Sequence, residues 1–229
     1  MSSDPGSSNA TQQQLWDLQE STGRVELFPA VWSAAEALIH PETKKRLEAL
    51  EKLSELNAVR FSSLVAYLVA TRLTDPELNV RAKVVKALGV VLSPDSDSQP
   101  APQEVRRVLM NYLSQMRTRQ AYALLQVLSD HPDLEDHVAK LLDACSFAST
   151  HLIDILADRS ASLEVRVQAV QAIGRVGYLD AIPALERLEG RIETRLNGQR
   201  AMPFAPVGGE DEQELLPAIH KTLALLRAP

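Results

Sequence analysis

Three arginines spaced four residues apart form the clearest chemical pattern in this chain. Arg187, Arg191 and Arg195 fall at i, i+4 and i+8 of a predicted helix, a spacing that places them on one face. Guanidinium groups bind carboxylates and phosphates through directional hydrogen bonds. The pattern therefore indicates a contact surface for an anionic partner. The alternative is a solvated arginine face with salt bridges to the next helix, from Glu212 or Glu214.

An apolar stretch follows this helix in the loop 198–210. Met202 and Phe204 would be costly to leave in water, so we expect them to pack on the protein or on a partner. Loops of this length are often functional or disordered. Together with the three arginines, these two residues form the predicted partner-binding set.

Histidines and carboxylates gather between residues 130 and 137, where a metal could be considered. His131 and His137 flank a helix start but lack a recognised ligand spacing. Capping of the helix by Asp130 or Asp133 explains the acidic residues more simply. We therefore predict no metal ligands.

Cys145 and His151 could act as a nucleophile and its base. No third group or oxyanion feature accompanies them, and a lone cysteine near Leu141 and Leu142 is typical of a small core side chain. Phosphate-binding glycine loops and nucleophile elbows are also missing from the sequence. We predict no catalytic residue and no cofactor, although the sequence leaves enzymatic activity open.

A second basic cluster lies near the middle of the chain. It consists of Arg106, Arg107, Arg117 and Arg119, with Tyr112 and Tyr122 nearby. Cations beside aromatic rings can bind nucleic acid. However, the net charge of −6 and the pI near 5.4 argue against a continuous basic footprint. Nucleic-acid binding is therefore disfavoured.

The elements that must position these residues are helices. Apolar residues recur every three or four positions, which is typical of amphipathic α-helices, and no convincing alternating stretch interrupts them. The pattern predicts helices at 12–20, 29–39, 42–56, 58–73, 76–92, 103–116, 118–129, 134–145, 149–157, 163–176, 180–196 and 211–226. The segment 134–157 is either one long bent helix or two helices, and the capping residue Ser149 favours two.

A helix-opening phrase occurs twice at a fixed spacing. His40-Pro41-Glu42 with Arg46 returns 35 residues later as Asp75-Pro76-Glu77 with Arg81, and a degraded copy includes Arg166. Asp75 can cap the free amides and Pro76 suits the first turn. Repeats of this length indicate units that bury their apolar faces against their neighbours.

These phrases resemble the HEAT-repeat family, particularly its bacterial, phycobilin-lyase-type branch. The resemblance implies a right-handed α-solenoid of stacked antiparallel helix pairs, with about 11–12 helices here. In that family an Asp at the turn and an Arg in the following helix form a ladder between repeats. Asp75 with Arg81 and Asp180 with Arg166 match those positions. The family's B helices line the concave side, so the arginines of 180–196 would border that surface.

The domain expectation is a disordered tail at 1–10 and one HEAT-like domain at 11–229, with loop insertions at 93–102 and 198–210. The first insertion is polar, proline-rich and expected to be mobile. Cys145 is the sole cysteine, so no intramolecular disulfide can form. The longest apolar run, 64–70, is too short to span a bilayer, and residues 1–10 lack the features of a signal peptide. These features favour a cytoplasmic protein.

The leading hypothesis is a noncatalytic scaffold that binds a protein partner on its concave helix face. The alternative is a bilin lyase or another chromophore-handling protein, as the resemblance allows. A DNA-binding HEAT-like protein is the third and disfavoured possibility. The oligomeric state and the partner's identity are left open.

Overall fold

The computed structural model describes residues 28–200 and 210–228, and every regular element in these ranges is helical. The all-α prediction is confirmed, while the predicted helix at 12–20 lies outside the described residues. The twelve α-helices are α1 (Pro29–Ala37), α2 (Thr43–Glu55), α3 (Ala58–Phe61), α4 (Ser63–Ala70), α5 (Leu78–Val91), α6 (Gln103–Ser114), α7 (Thr118–Asp130), α8 (Glu135–Asp143), α9 (Ala148–Ala157), α10 (Leu163–Val176), α11 (Ile182–Arg200) and α12 (Glu210–Arg227). Two 3₁₀ turns, Pro132–Leu134 and Leu179–Ala181, precede α8 and α11.

The predicted helix at 58–73 is divided at Ser62. Ser62 is extended, with φ −115° and ψ 119°, and its hydroxyl accepts the N–H of Val65 at 3.0 Å. Asn57, just before α3, lies in the left-handed region at φ 52°. The prediction of one continuous helix is therefore wrong, because Ser62 caps a new helix within an unbroken apolar pattern.

The segment 134–157 forms two helices, α8 and α9, as the sequence favoured. The predicted cap is wrong, however. The α9 helix follows Phe147 without a side-chain cap, and the hydroxyl of Ser149 is buried with no hydrogen-bond partner in the described chain. Packing therefore determines this helix start.

The chain divides into two compact units, one ending at Ser114 and the other beginning at Gln115. In the first unit, α2 packs on α1 and α5, while α4 packs on α6. Leu50, Leu53 and Leu88 are almost fully buried between these layers. The expectation of a single stacked domain stays a prediction.

The α10 helix is central to the second unit and contacts α7, α9 and α12. Gly174 allows α12 to approach closely, because a Cβ at this position would lie 3.2 Å from the Thr222 methyl group. The Thr222 hydroxyl donates to the carbonyl of Val170 at 3.2 Å, and this bond is buried. The glycine and the threonine together determine how α12 packs on α10.

The repeated phrase has the same physical role in both copies. The Arg46 guanidinium donates to the carbonyls of residues 40 and 41, both at 3.0 Å. The Arg81 guanidinium donates to the carbonyls of residues 75 and 76, at 2.8 and 3.2 Å. Both arginines are buried. Each therefore holds the turn that opens its own helix.

A buried ion pair joins the two phrases. Arg46 Nη2 lies 2.9 Å from Asp75 Oδ1, and only 8% and 2% of the two side chains are exposed. The same carboxylate oxygen accepts the N–H of Glu77 at 3.0 Å. The helix itself begins at Leu78, after Glu77 and without a side-chain cap, so the prediction that Asp75 caps it is wrong. His40 takes the equivalent role in the first copy, since its Nδ1 accepts the N–H of Glu42 at 3.0 Å.

The predicted ladder pairs differ in detail from these contacts. The carboxylate of Asp75 bonds to Arg46, one phrase earlier, whereas Arg81 bonds to the backbone carbonyl of Asp75. In the third copy, Arg166 Nε donates to the carbonyl of Leu156 at 3.1 Å. The arginine keeps its carbonyl-binding role even where the phrase is degraded.

The polar insertion at 93–102 is anchored by Arg60. The Arg60 guanidinium donates to the carbonyls of Val90, Ser93 and Gln99, and it lies 3.2 Å from the carboxylate of Asp95. Asp95 in turn accepts the N–H of Gln99 at 2.8 Å. The loop is therefore held by a buried cation that the sequence pattern did not connect with it.

We expect Arg46→Met to lower the free energy of unfolding by about 3–5 kcal/mol, because it leaves the carboxylate of Asp75 buried without its cation. The matched control is Lys52→Met, which removes an exposed pair with Glu55 whose side chains are 52% and 60% exposed. That change should cost less than about 0.5 kcal/mol. Urea denaturation followed by circular dichroism measures the free energy of unfolding of both variants. Equal losses in the two variants would contradict the role given to Arg46.

Replacing Gly177 or Gly190 with alanine should change the stability of the protein in opposite directions. Gly177 ends α10 at φ 86°, whereas Gly190 lies within α11, and a Cβ at either position would meet nothing within 4 Å. Gly177→Ala should destabilise the protein by about 1 kcal/mol through backbone strain. Gly190→Ala should stabilise it by about 0.5–1 kcal/mol through helix propensity. Thermal unfolding measures the Tm of each variant. A shift of both Tm values in the same direction would contradict this explanation.

Candidate partner-binding surface

The α11 helix presents its arginines away from an apolar row. Leu185, Ile192 and Leu196 are buried, whereas Arg187 and Arg191 are exposed. Arg191 Nε donates to the carbonyl of Arg187 at 3.3 Å, so the two side chains follow one another along the helix. The predicted arginine spacing thus forms a continuous strip on one side of α11.

A fourth arginine joins this strip from another element. Arg159 lies in the turn after α9, and Arg195 is half-buried nearby. The pKa of Arg195 is lowered, first by burial and then by the positive charges of Arg159 and Arg191. We call Arg159, Arg187, Arg191 and Arg195 the arginine surface. Sequence reasoning missed Arg159 because only the packing of α9 near α11 brings it there.

An apolar cleft of about 120 Å³ borders the arginine surface. Ile153 and Leu156 of α9 line one side, and Leu188 of α11 lines the other, together with Arg187 and Arg191. Arginine stems contribute apolar surface while their guanidinium groups reach water. The site therefore combines positive charge with a small apolar recess.

The sequence also allowed salt bridges between the arginines of α11 and the carboxylates of the next helix. Among the described side chains, no carboxylate lies within ion-pair distance of Arg187 or Arg191, and this set includes Glu214. The side chain of Glu212 lies outside the described residues, as do Met202 and Phe204. The described part of the chain thus provides no carboxylate partner for Arg187 or Arg191.

The residues considered for a metal at 130–137 have other roles. A hydrogen bond from Arg175 lowers the pKa of the Asp136 carboxyl, and the two groups form an exposed ion pair. The α8 helix begins through a 3₁₀ turn, and neither start carries a side-chain cap. Capping by Asp130 or Asp133 is therefore wrong, and in the described chain this segment does not bring three metal-ligand atoms together.

Cys145 and His151 are directed at the same backbone carbonyl, that of Met116. The thiol lies 3.8 Å from this oxygen and His151 Nε2 lies 3.0 Å from it, while His151 Nδ1 is 2.9 Å from the Thr118 hydroxyl. Burial raises the pKa of the Cys145 thiol. Because the imidazole is engaged at both nitrogens and the thiol is buried, the pair is not arranged for nucleophilic attack.

The second basic cluster is divided between the two units. In the first unit, Arg106 donates to the carbonyl of Ala101 at 2.9 Å and Arg107 pairs with Glu104 at 2.7 Å. The ring of Tyr112 packs edge-on against that of Tyr67, with centroids 5.7 Å apart. In the second unit, Arg119 and Tyr122 line a hollow with the carboxylates of Asp154 and Asp158. The ion pair with Glu104 therefore partly neutralises Arg107, and Arg119 shares its hollow with two acidic residues.

A separate groove of about 510 Å³ lies in the first unit, lined by α2, α3 and α5. Leu50, Val59 and Val91 contribute its apolar lining. The charges at its rim include Lys83 and Glu51, which form an ion pair at 3.2 Å. The groove has the size of a small-molecule site, and charged side chains such as Glu55 and Lys86 lie in its lining beside the apolar ones.

No family model, curated protein or solved structure matches this chain. In the part of the chain that the structure describes, no helix is both long and apolar enough to cross a bilayer. The function is therefore inferred from the arginine surface.

Cys145 should react slowly in the folded protein. The side chain is 5% exposed, and the raised thiol pKa lowers the thiolate fraction at neutral pH. We expect Ellman's reagent at pH 7.5 to modify it at least about tenfold more slowly in buffer than in 6 M guanidinium chloride. A free small thiol measured in both solutions corrects for the denaturant, and equal corrected rates would contradict the buried position.

Proposed function

We propose that this protein is a noncatalytic protein-binding module and that the arginine surface receives an acidic segment of a partner protein. The observation that carries the proposal is the apolar cleft that the exposed Arg187 and Arg191 line together with Ile153, Leu156 and Leu188. Carboxylates of the partner would form charge-assisted hydrogen bonds with the guanidinium groups. An aliphatic side chain between those carboxylates would enter the cleft.

The two parts of the surface contribute differently to binding. The exposed arginines attract an acidic partner over a distance and determine its orientation, which acts mainly on the association rate. The cleft between Leu156 and Leu188 removes apolar surface from water and slows dissociation. A partner with both acidic and aliphatic residues therefore fits better than one with charge alone.

We also propose that the chain is a HEAT-like α-solenoid. Two observations support this: the arginine of each phrase holds its own turn, and helices of equivalent position pack together, α2 on α5 and α4 on α6. The buried pair between Arg46 and Asp75 connects successive phrases as a ladder would. In such an array α11 would be a B helix, with its arginines beside the concave face.

At the arginine surface the size of the cleft favours a protein segment over a bilin, whereas the groove of about 510 Å³ in the first unit has the size of a small-molecule site. A recess of about 120 Å³ is smaller than the ~300–1,000 Å³ typical of small-molecule sites, so it suits one or two side chains. The net charge of −6 also opposes binding to the phosphates of DNA. An acidic, partly aliphatic peptide is therefore the ligand class that we propose to test.

The test replaces Arg187, Arg191 and Arg195 together with glutamate. Fluorescence anisotropy would measure binding of labelled peptides that contain Glu and Leu in helical spacing. We expect the wild-type protein to bind them with an affinity that falls as salt rises, and the triple variant to bind at least about tenfold more weakly, a loss of about 1.4 kcal/mol or more.

The matched control is the triple variant Lys44→Glu, Lys45→Glu and Lys52→Glu, which makes the same change in net charge on exposed residues of α2. Its affinity should remain close to that of the wild type. Equal losses in both variants would mean that only overall charge matters. Binding of duplex DNA in preference to every acidic peptide would overturn the proposal.

A further inference from the structure

The seam between α11 and α12 brings three possible metal ligands together. Glu189 and Glu193 are one helical turn apart on α11, and His220 reaches them from α12. One ligand atom from each residue lies within 4.8 Å of the other two. Sequence reasoning found no ligand spacing here, because the histidine lies on a different helix and follows the loop 198–210.

The distances among these atoms are close to those of a metal site. His220 Nε2 lies 2.9 Å from Glu189 Oε1 and 3.7 Å from Glu193 Oε1. A tetrahedral zinc ion with bonds of about 2.1 Å separates its ligand atoms by about 3.4 Å. The two observed distances lie on either side of that value. Small side-chain rotations would therefore be enough to place all three atoms around one ion.

The chemistry of the three groups selects a class of metal. Two carboxylate oxygens with one imidazole nitrogen suit a borderline divalent ion such as Zn²⁺ or Co²⁺, whereas Mg²⁺ and Ca²⁺ prefer oxygen alone. The side chains of Glu189, Glu193 and His220 are 25%, 50% and 47% exposed, so water can complete the coordination. Sites of this kind form between facing helices of bundles.

We propose that Glu189, Glu193 and His220 bind one divalent transition-metal ion that fastens α12 to α11. The neighbouring ion pair between Glu186 and Arg227 already joins the two helices without a metal. The metal site would add a second link between α11 and α12, and this link would form only when the ion is bound. It lies on the side of α11 that faces α12, and it does not depend on the proposed function of the arginine surface.

The experiment titrates the EDTA-treated protein, residues 1–229, with Zn²⁺ by calorimetry and with Co²⁺ by visible absorption. We expect one ion per chain, a Co²⁺ absorption band and a higher Tm in the presence of Zn²⁺. His220→Gln and Glu193→Gln should each weaken Zn²⁺ binding by more than about tenfold, since loss of even an outer partner costs that much.

Two control variants distinguish this site from nonspecific binding of metal ions at the surface. Glu186→Gln removes a carboxylate on the same seam that belongs to the ion pair with Arg227, and His131→Gln removes a histidine elsewhere. Both should keep the affinity of the wild type. Glu193 is half exposed, so its variant should fold, and circular dichroism would check this. The proposal is overturned if no ion binds stoichiometrically, which is the result expected if the three residues form only His–Glu ion pairs. It is also overturned if His220→Gln binds Zn²⁺ with the affinity of the wild type.

Discussion

The need to satisfy buried guanidinium groups constrains much of this structure. A buried cation is costly unless it is paired and hydrogen-bonded, and Arg46, Arg60 and Arg81 meet this need largely with backbone carbonyls. Carbonyls in turns and at helix ends lack helical partners, so the terminal nitrogens of each guanidinium and the carbonyls of its turn hydrogen-bond to one another. The turns are consequently held in place by side chains from the helices that they open or adjoin. The position of Asp75 follows from the same requirement, because its carboxylate completes the bonds of Arg46.

The same requirement distinguishes the arginines of α11 from those of the first unit. Arg187 and Arg191 are exposed, and the described side chains place no carboxylate within ion-pair distance of them. Their charges are therefore available to a partner, whereas the charge of Arg46 is used within the fold. A basic strip beside an apolar recess has both the means to attract an acidic segment and a place for one of its aliphatic side chains. For this reason the arginine surface, and not the larger groove beside Lys83, carries the proposed function.

The α11 helix has different chemistry on its two polar sides. The arginines lie on one side, and Glu186, Glu189 and Glu193 lie on the other, where Arg227 and His220 of α12 meet them. Between these sides the apolar row is buried. The carboxylates consequently hold α12, and among the described side chains none of them lies within ion-pair distance of Arg187 or Arg191. A metal at His220 would strengthen that seam and so maintain this separation of charge.

The sequence by itself determined the helical class and most helix positions, because the apolar period and the turn residues act over a few residues. The α10 helix lies where the pattern placed it, but the break at Ser62 was hidden in a continuous apolar run. Tertiary structure alone decided which distant groups meet. Arg159 joins the arginines of α11, and His220 joins Glu189, through the packing of separate helices. The spacing of residues along one helix cannot encode such encounters, because they depend on how whole helices pack.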